Sequence, residues 1–547
     1  MHDLVIRDAM LLDGLGSPPR HGDLAVRDGK VQEIGTGLSG KQTVDADGLA
    51  LMPGIIDNHT HYDAQITWDP WASPSPSLGV TTAVIGNCGF TIAPCRASDR
   101  ELVMKNLTQV EGMSLAALRA GIRWEFESLP EYLDMLERRG AALNLACFAG
   151  HSSIRTYVMG EAATERAASE EEVSRMKKIL LEALQAGAIG LSSTTSPAHN
   201  GDGGRPMPSR LAEESELRSL VGCLREAGRG LFMLTKGGQT RIPFLESLAA
   251  ESTRPVVIAA LLHSSTNPGA VFEDLRQIKE ANDRGHRLVG AVSCCPLSME
   301  FTMHSPYVLE GLESWKPALG KKDSEFRKII SQKAFRDGVR AELSKPAHFR
   351  IFNGEWHKVQ VVESQRTIAE LAAGRDPLDT MLDLALAQNL DTVFNALLLN
   401  SDEEAVGKML RHPNSLVSLS DAGAHLTFFN DAGFGLHLLG HWVRELGVLT
   451  LPEAVQRLTS HPAKVFGIPE RGVLEPGHRA DLMLFDPAKV GRGPVRHARD
   501  LPAGQPRLVA QAAGVHGVWV NGTRIVGSDG QRSSDALPGE LLRRFAA

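Results

Sequence analysis

The chain has 547 residues, 42% of them hydrophobic and 22% charged, with a formal net charge of -7 and a pI near 6.3. That length exceeds one ordinary core and implies a large domain with at least one smaller one, while the acidic balance excludes an electrostatic case for nucleic acid or anionic membrane as a partner. No run of about eighteen uninterrupted apolar residues occurs, and the first residues, Met-His-Asp-Leu-Val-Ile-Arg-Asp, lack the layout of a signal peptide. The chain therefore reads as cytoplasmic, acting on a small-molecule substrate, with a homo-oligomer left open.

Residues 1–50 read as short strands over 4–7, 23–27 and 30–34, separated by turns such as Asp28-Gly29. Three short strands cannot bury a stable core alone. Segments 480–486 and 517–526 have the same β character and supply partners. The expectation is a small composite β-sandwich made of 1–52 and 466–547, with 53–465 inserted between its halves.

The insertion opens on Pro-Gly-Ile-Ile-Asp-Asn-His-Thr-His-Tyr-Asp at 53–63. An apolar run from Leu49 to Ile56, broken by Pro53 and Gly54, reads as a buried strand emerging from a turn. Alternation puts His59 and His61 on one face and Thr60 on the other. Two neutral imidazoles so placed can hold one metal ion at ~2.0–2.1 Å. Chance His-x-His pairs on exposed strands are also common.

Beyond it, apolar strands over 82–85, 143–148, 189–192, 231–234, 256–262, 288–292 and 416–419 alternate with helical stretches. The clearest helix is Glu170–Ala186, with Val173, Met176, Ile179, Leu180 and Leu184 on one stripe and Ser169 as its cap. Such alternation argues for an α/β fold, a parallel (β/α)8 TIM-like barrel whose chemistry sits at the carboxyl ends of its strands. Segment 296–375 breaks the pattern with Trp315, the charged Lys321-Lys322-Asp323 and aromatic residues over 349–356, among them Phe349. It reads as an insertion, either a lid over the barrel mouth or a surface excursion.

Several strand ends carry chemistry. Gly86-Asn87-Cys88-Gly89 presents a thiol that is either an inert buried group or a metal ligand once a cation lowers its pKa. The other cysteines are scattered and read as thiols. His263 closes the apolar Leu261-Leu262, and Asp421 follows Ser418-Leu419-Ser420. Each has a plain structural alternative, a hydrogen-bonded histidine and a loop-capping aspartate. Asp421 is also of a type that binds metal and takes a proton from water. His425 reads equally as a substrate contact or a loop histidine.

Residues 53–63 resemble the first-strand signature of the metal-dependent amidohydrolase superfamily. Thr81-Thr82-Ala83-Val84-Ile85-Gly86-Asn87-Cys88-Gly89 resembles the N-acyl-D-amino-acid deacylase (D-aminoacylase) branch, and Gly150-His151-Ser152-Ser153-Ile154-Arg155 looks like a further motif of that branch. The resemblance extends over nearly the whole chain. It implies the barrel with its composite small domain and makes Cys88 and His263 zinc ligands beside His59, His61 and Asp421. The sequence departs from the branch at Lys236, where the deacylases carry a zinc histidine. A protonated lysine has no lone pair for zinc, so Lys236 is either carbamylated and bridges two ions or stays cationic and leaves one. A second departure is Ser265, at the position where the deacylases pair a lysine with the substrate carboxylate. Lys236, Arg205 or Arg241 would have to replace that cation, or the substrate is neutral.

The resulting expectation is a zinc hydrolase with one or two ions, cleaving a carbon–nitrogen amide bond by metal-activated water. Asp421 is the proton carrier, and His151 and His425 are candidates for stabilising the oxyanion. Lactone, ester or cyclic amide hydrolysis, metal-dependent decarboxylation and a non-catalytic binding role are the alternatives.

Overall fold

The computed structural model describes all residues except 322, 346, 348–351 and 547. The expectations on Lys322 and Phe349 therefore lie outside the described residues. The chain divides into two compact units, the first made of Met1–Leu261, Asp274–Cys294 and Met409–Ala547, the second of Leu262–Glu273 and Cys295–Lys408.

In the first unit, parallel strands succeed one another along the chain: β1 (Ile55–Asp57), β2 (Val80–Ile85), β3 (Asn144–Cys147), β4 (Ala149–Gly150), β5 (Gly190–Thr194), β6 (Leu231–Thr235), β7 (Val256–Leu261), β8 (Leu288–Val292) and β9 (Ser415–Val417). They pair in the order β1-β2-β3 and, in a 6-stranded sheet, β9-β8-β7-β6-β5-β4. Every pairing is parallel. Only Phe148 separates β3 from β4, and its N–H donates to Ile85 O of β2 at 3.0 Å. The continuations of β1 and β9 also meet, since Asn58 Nδ2 donates to Val417 O at 2.9 Å and Thr60 bridges Ala422.

Parallel neighbours need crossovers, and helices supply them. Those that bear on the site are α1 (Arg100–Glu111), α2 (His151–Met159), α3 (Glu170–Ala186) and α4 (Glu214–Glu226). The α3 boundaries match the sequence reading. Ser169 and Glu172 form a capping box, Met176, Leu180 and Leu184 are buried, and Gly187 closes the helix at φ 114°. Helices on the outside leave β2 buried at all six positions, which accounts for its β-branched Val-Thr-Thr-Ala-Val-Ile.

Both chain ends contribute to one 8-stranded sheet. Ala50–Pro53 lies between His2–Leu11 and Leu482–Phe485, with Leu482 opposite Pro53. Its core gathers Leu4, Ile6, Leu24 and Val26 from one end of the sequence and Leu482, Leu484 and Trp519 from the other.

The second unit has its own core around Trp315, Phe326, Phe335 and Phe394, beside the antiparallel strands Leu297–Phe301, Val359–Val361, Arg366–Thr367 and Phe394–Leu399. Among the described residues, no helix is long and apolar enough to cross a membrane.

Candidate metal centre

The centre begins with a close approach of backbones. A Cβ on Gly54 would lie 2.2 Å from the Thr81 side chain, so only glycine lets β1 start beside β2. Past Asp57 the regular strand ends, the chain bends at His59, and Thr60 forms an isolated bridge to Ala422. Thr60 turns away and donates through Oγ1 to Val84 O at 2.8 Å, while His61 N–H donates to Ala422 O at 2.8 Å. His59 and His61 are left on the opposite face, buried, with ring centroids 5.4 Å apart.

Cys88 arrives from the end of β2 on a turn in which Gly86, Cys88 and Gly89 have φ of 81°, 56° and 83°. A left-handed cysteine is an uncommon and costly conformation. Ser192, on β5, braces this turn, accepting from Gly89 N–H at 3.1 Å and donating to Gly86 O. Asp421 (φ 46°) and His425 (φ 55°) are also left-handed, on the loop after β9.

These elements converge. One donor atom each from His59, His61 and Cys88 lies within 4.8 Å of the others. Cys88 Sγ is 3.4 Å from His59 Nε2. Asp421 Oδ1 lies 3.2 Å from His59 Nε2 and 3.6 Å from His61 Nε2. A tetrahedral zinc at ~2.0–2.3 Å from its ligands separates them by roughly 3.3–3.8 Å. The two imidazoles and the thiol suit that ion in donor type, and Asp421 stands at ligand spacing from both imidazoles.

Electrostatics follow from burial and from these contacts. Burial pushes His59 down to about 4, keeping its ring neutral at physiological pH. Burial also opposes charge on His61, but Glu111 and Asp421 outweigh it and raise this group well above the ordinary imidazole value. Asp421, a quarter exposed, is held below the ordinary carboxylate range because His61, His59 and His425 outweigh its desolvation. Burial raises the Cys88 thiol. Asp57 and Asp63 are carried by burial up to about 7. Asp63 Oδ2 accepts from Gly86 N–H at 3.0 Å and so pins the cysteine turn.

The remaining candidates stand elsewhere. His151 is fully buried with both ring nitrogens engaged, Nδ1 with Ser193 Oγ at 2.9 Å and Nε2 with Glu216 Oε1 at 2.8 Å. Lys236 donates to Asp274 Oδ2 at 2.5 Å. The residue before it, Thr235, touches the centre, its Oγ1 lying 3.2 Å from Cys88 Sγ. Strand alternation accounts for the different surroundings of these two neighbours. His263 belongs to the second unit. There its backbone N–H donates to Asn400 Oδ1 at 3.2 Å and its carbonyl accepts from Asn400 N–H at 2.8 Å, and burial lowers its pKa against the opposing pull of Asp402. His425 Nε2 lies 3.4 Å from Glu111 Oε2.

Sequence reasoning missed Glu111, Thr235 and His199. Glu111 ends α1, where the helix dipole disfavours a carboxylate, and that misfit was its only signal. His199 shares a 2.8 Å hydrogen bond with Thr194 Oγ1 and lies edge-on to Phe90, with ring centroids 5.2 Å apart. Burial, assisted by His425 and His61, lowers it to about 3.

The sequence profile of the amidohydrolase family matches residues 42–526. The chain belongs to the amidohydrolase family. It is similar to the N-acyl-D-aspartate deacylase of Alcaligenes xylosoxydans xylosoxydans, 29% identical over 552 residues covering 99% of this chain and 95% of the relative. It is also similar to the D-aminoacylase of that organism, 29% identical over 561 residues covering 100% and 98%. A solved N-acyl-D-glutamate deacylase from Bordetella bronchiseptica is 25% identical, with a TM-score of 0.67 over 99% of this chain and all of that one. That crystal contains zinc and a phosphonate inhibitor mimicking the tetrahedral intermediate. The amidohydrolase described here is thus an α/β hydrolase of the metal-dependent class that its sequence suggests, and its donor set suits zinc.

Proposed function

We propose that this amidohydrolase cleaves the amide bond of an N-acylated amino acid or a related amide, using zinc held by His59, His61, Cys88 and Asp421. One observation carries the reading. Donors of His59, His61 and Cys88 lie within 4.8 Å of one another, and Asp421, from a third stretch of chain, lies 3.2 and 3.6 Å from the two imidazoles. On the same reading residues 53–465 form a (β/α)8 barrel with an insertion near 296–375, and 1–52 with 466–547 a composite sandwich; the parallel pairings β1-β2-β3 and β9 to β4 support it. In such a barrel the carboxyl ends of β1, β2 and β9 form one mouth. The role of His263, in the second unit, stays with the resemblance that suggested it.

A bound zinc would supply a Lewis acid that polarises the scissile carbonyl and acidifies water. The chain supplies the rest. Asp421, ionised and partly exposed, accepts a proton at its carboxylate and returns it to the leaving nitrogen. His59, neutral, offers its Nε2 lone pair. Lys236, paired with Asp274, offers none, which favours one ion over a carbamate-bridged pair.

A second reading concerns the substrate. In the second unit Ser265 donates to Glu355 Oε1 at 2.7 Å, and Glu355 also accepts from Lys358 at 2.5 Å. The resemblance, not the arrangement of the two units, is what assigns Ser265 to the substrate carboxylate. Lys358, 3.4 Å from Ser265 Oγ, is offset by Glu355, which supports a neutral or cyclic amide, or a lactone, over a free carboxylate. Metal analysis of the purified chain, followed by turnover of acyl-D-amino acids against neutral amides and lactones, tests both readings. Less than one zinc per chain under saturating metal rejects the first, and a clear preference for acyl-D-amino acids rejects the second.

A further inference from the structure

Glu111 is buried at the last position of α1, immediately before Gly112 (φ 59°), whose Cβ would lie 2.8 Å from the Phe428 ring. This packing ties the helix end to the loop that carries Asp421 and His425, and His425 N–H donates to Glu111 O at 2.6 Å. A carboxylate placed there is out of water and at the negative end of a helix. No lysine or arginine compensates it among the described residues. Its ion-pair partners are imidazoles, His61 Nδ1 at 3.4 Å from Oε1 and His425 Nε2 at 3.4 Å from Oε2.

The two nitrogens of His61 thus face different groups. Nε2 is on the side of Asp421, and Nδ1, buried and without a strict hydrogen bond, is on the side of Glu111. An imidazole that turns one N–H to a carboxylate has its other nitrogen free as a lone pair, and in metal proteins that partner sets tautomer and ring orientation. We infer that Glu111 is a positioning residue that holds His61 with Nε2 directed at the metal centre and, through its second oxygen, ties His425 to the same point. The inference rests on the metal centre proposed above. It assigns Glu111 a role in metal affinity and coordination geometry and leaves proton transfer to Asp421.

Glutamine has the volume of Glu111 but one acceptor oxygen where Glu111 presents two, so one of the two imidazoles would face an NH2 group instead of a carboxylate oxygen. The test is cobalt(II) binding to the full metal-free chain, followed by competition with a chelator and by the visible spectrum at saturation. Wild type is expected to bind one cobalt. Glu111→Gln is expected to bind about 10–100-fold more weakly, as loss of such partners does elsewhere, and its saturated spectrum is expected to shift as the His61 ring turns. Glu111→Asp, which keeps the charge but shortens the reach, guards against a variant that does not fold and is expected to lose affinity several-fold. Wild-type affinity in either folded variant, or a saturated spectrum in Glu111→Gln identical to wild type, overturns the inference. A wild-type chain that takes up no cobalt overturns the metal centre itself, a separate result.

Discussion

Two buried histidine–carboxylate clusters lie in the first unit, and they end in opposite states. Around His151 nearly every polar atom has a partner: Ser193 and Glu216 take the two imidazole nitrogens, and Arg155 donates to Glu216 and, at 3.0 Å, to Arg166 O. Only Arg155 Nε is left over. Around His59 and His61 the balance fails. Asp57 Oδ2, Asp63 Oδ1 and His425 Nδ1 are buried without hydrogen bonds, His61 Nδ1 has only the Glu111 carboxylate 3.4 Å away, and Cys88, Asp421 and His425 have left-handed backbone. A satisfied cluster has no demand for a ligand, whereas an unsatisfied one in a strained frame is where a ligand belongs. Residue type alone does not separate the two. His151 is a catalytic candidate by sequence; in the fold both its ring nitrogens are engaged, by Ser193 on β5 and by Glu216.

The largest effect is expected at Asp421. Asp421→Asn is expected to lower kcat by about 10²–10⁴-fold, the size of a lost proton carrier, with urea unfolding of the metal-free protein little changed. Turnover close to wild type would remove Asp421 from the reaction. Glu216→Ala should do the reverse, costing about 3–5 kcal/mol in urea denaturation, because the Arg155 charge is left buried and alone. Retained stability would show that the cluster is not a structural brace.

Acid titration sharpens the contrast. Burial would raise the Glu216 carboxyl, but His151 and Arg155 outweigh it and hold it at about 2, below its ordinary 4.5. Stability from this group is therefore fully present above pH ~4.5 and is lost as the pH falls toward 2. Glu216→Gln is expected to flatten that part of the stability–pH curve, and an unchanged acid limb contradicts the assignment.

The smallest effect is expected at Lys236. Its pair with Asp274 is partly exposed, so Lys236→Gln should cost about 0.2–1 kcal/mol and leave the metal content per chain unchanged. If metal content halves, a carbamate was holding a second ion.

Much of the molecule was legible in order of residues alone. Strand–helix alternation announced the parallel sheet, Ser169 and the stripe on Glu170–Ala186 set a helix to the residue, and Pro-Gly-Ile-Ile-Asp marked the first parallel strand, which ends just before His59 and His61. These signals are local, since periodicity and capping are written within a few residues. Tertiary structure alone decided which distant groups share a contact. Thr235 rather than Lys236 reaches Cys88, His151 spends both nitrogens on Ser193 and Glu216, and Glu111 comes to His61 from a helix end about fifty positions along the chain. Such assignments depend on which way a side chain points and on what burial leaves unpaired, and neither quantity exists until the chain has folded.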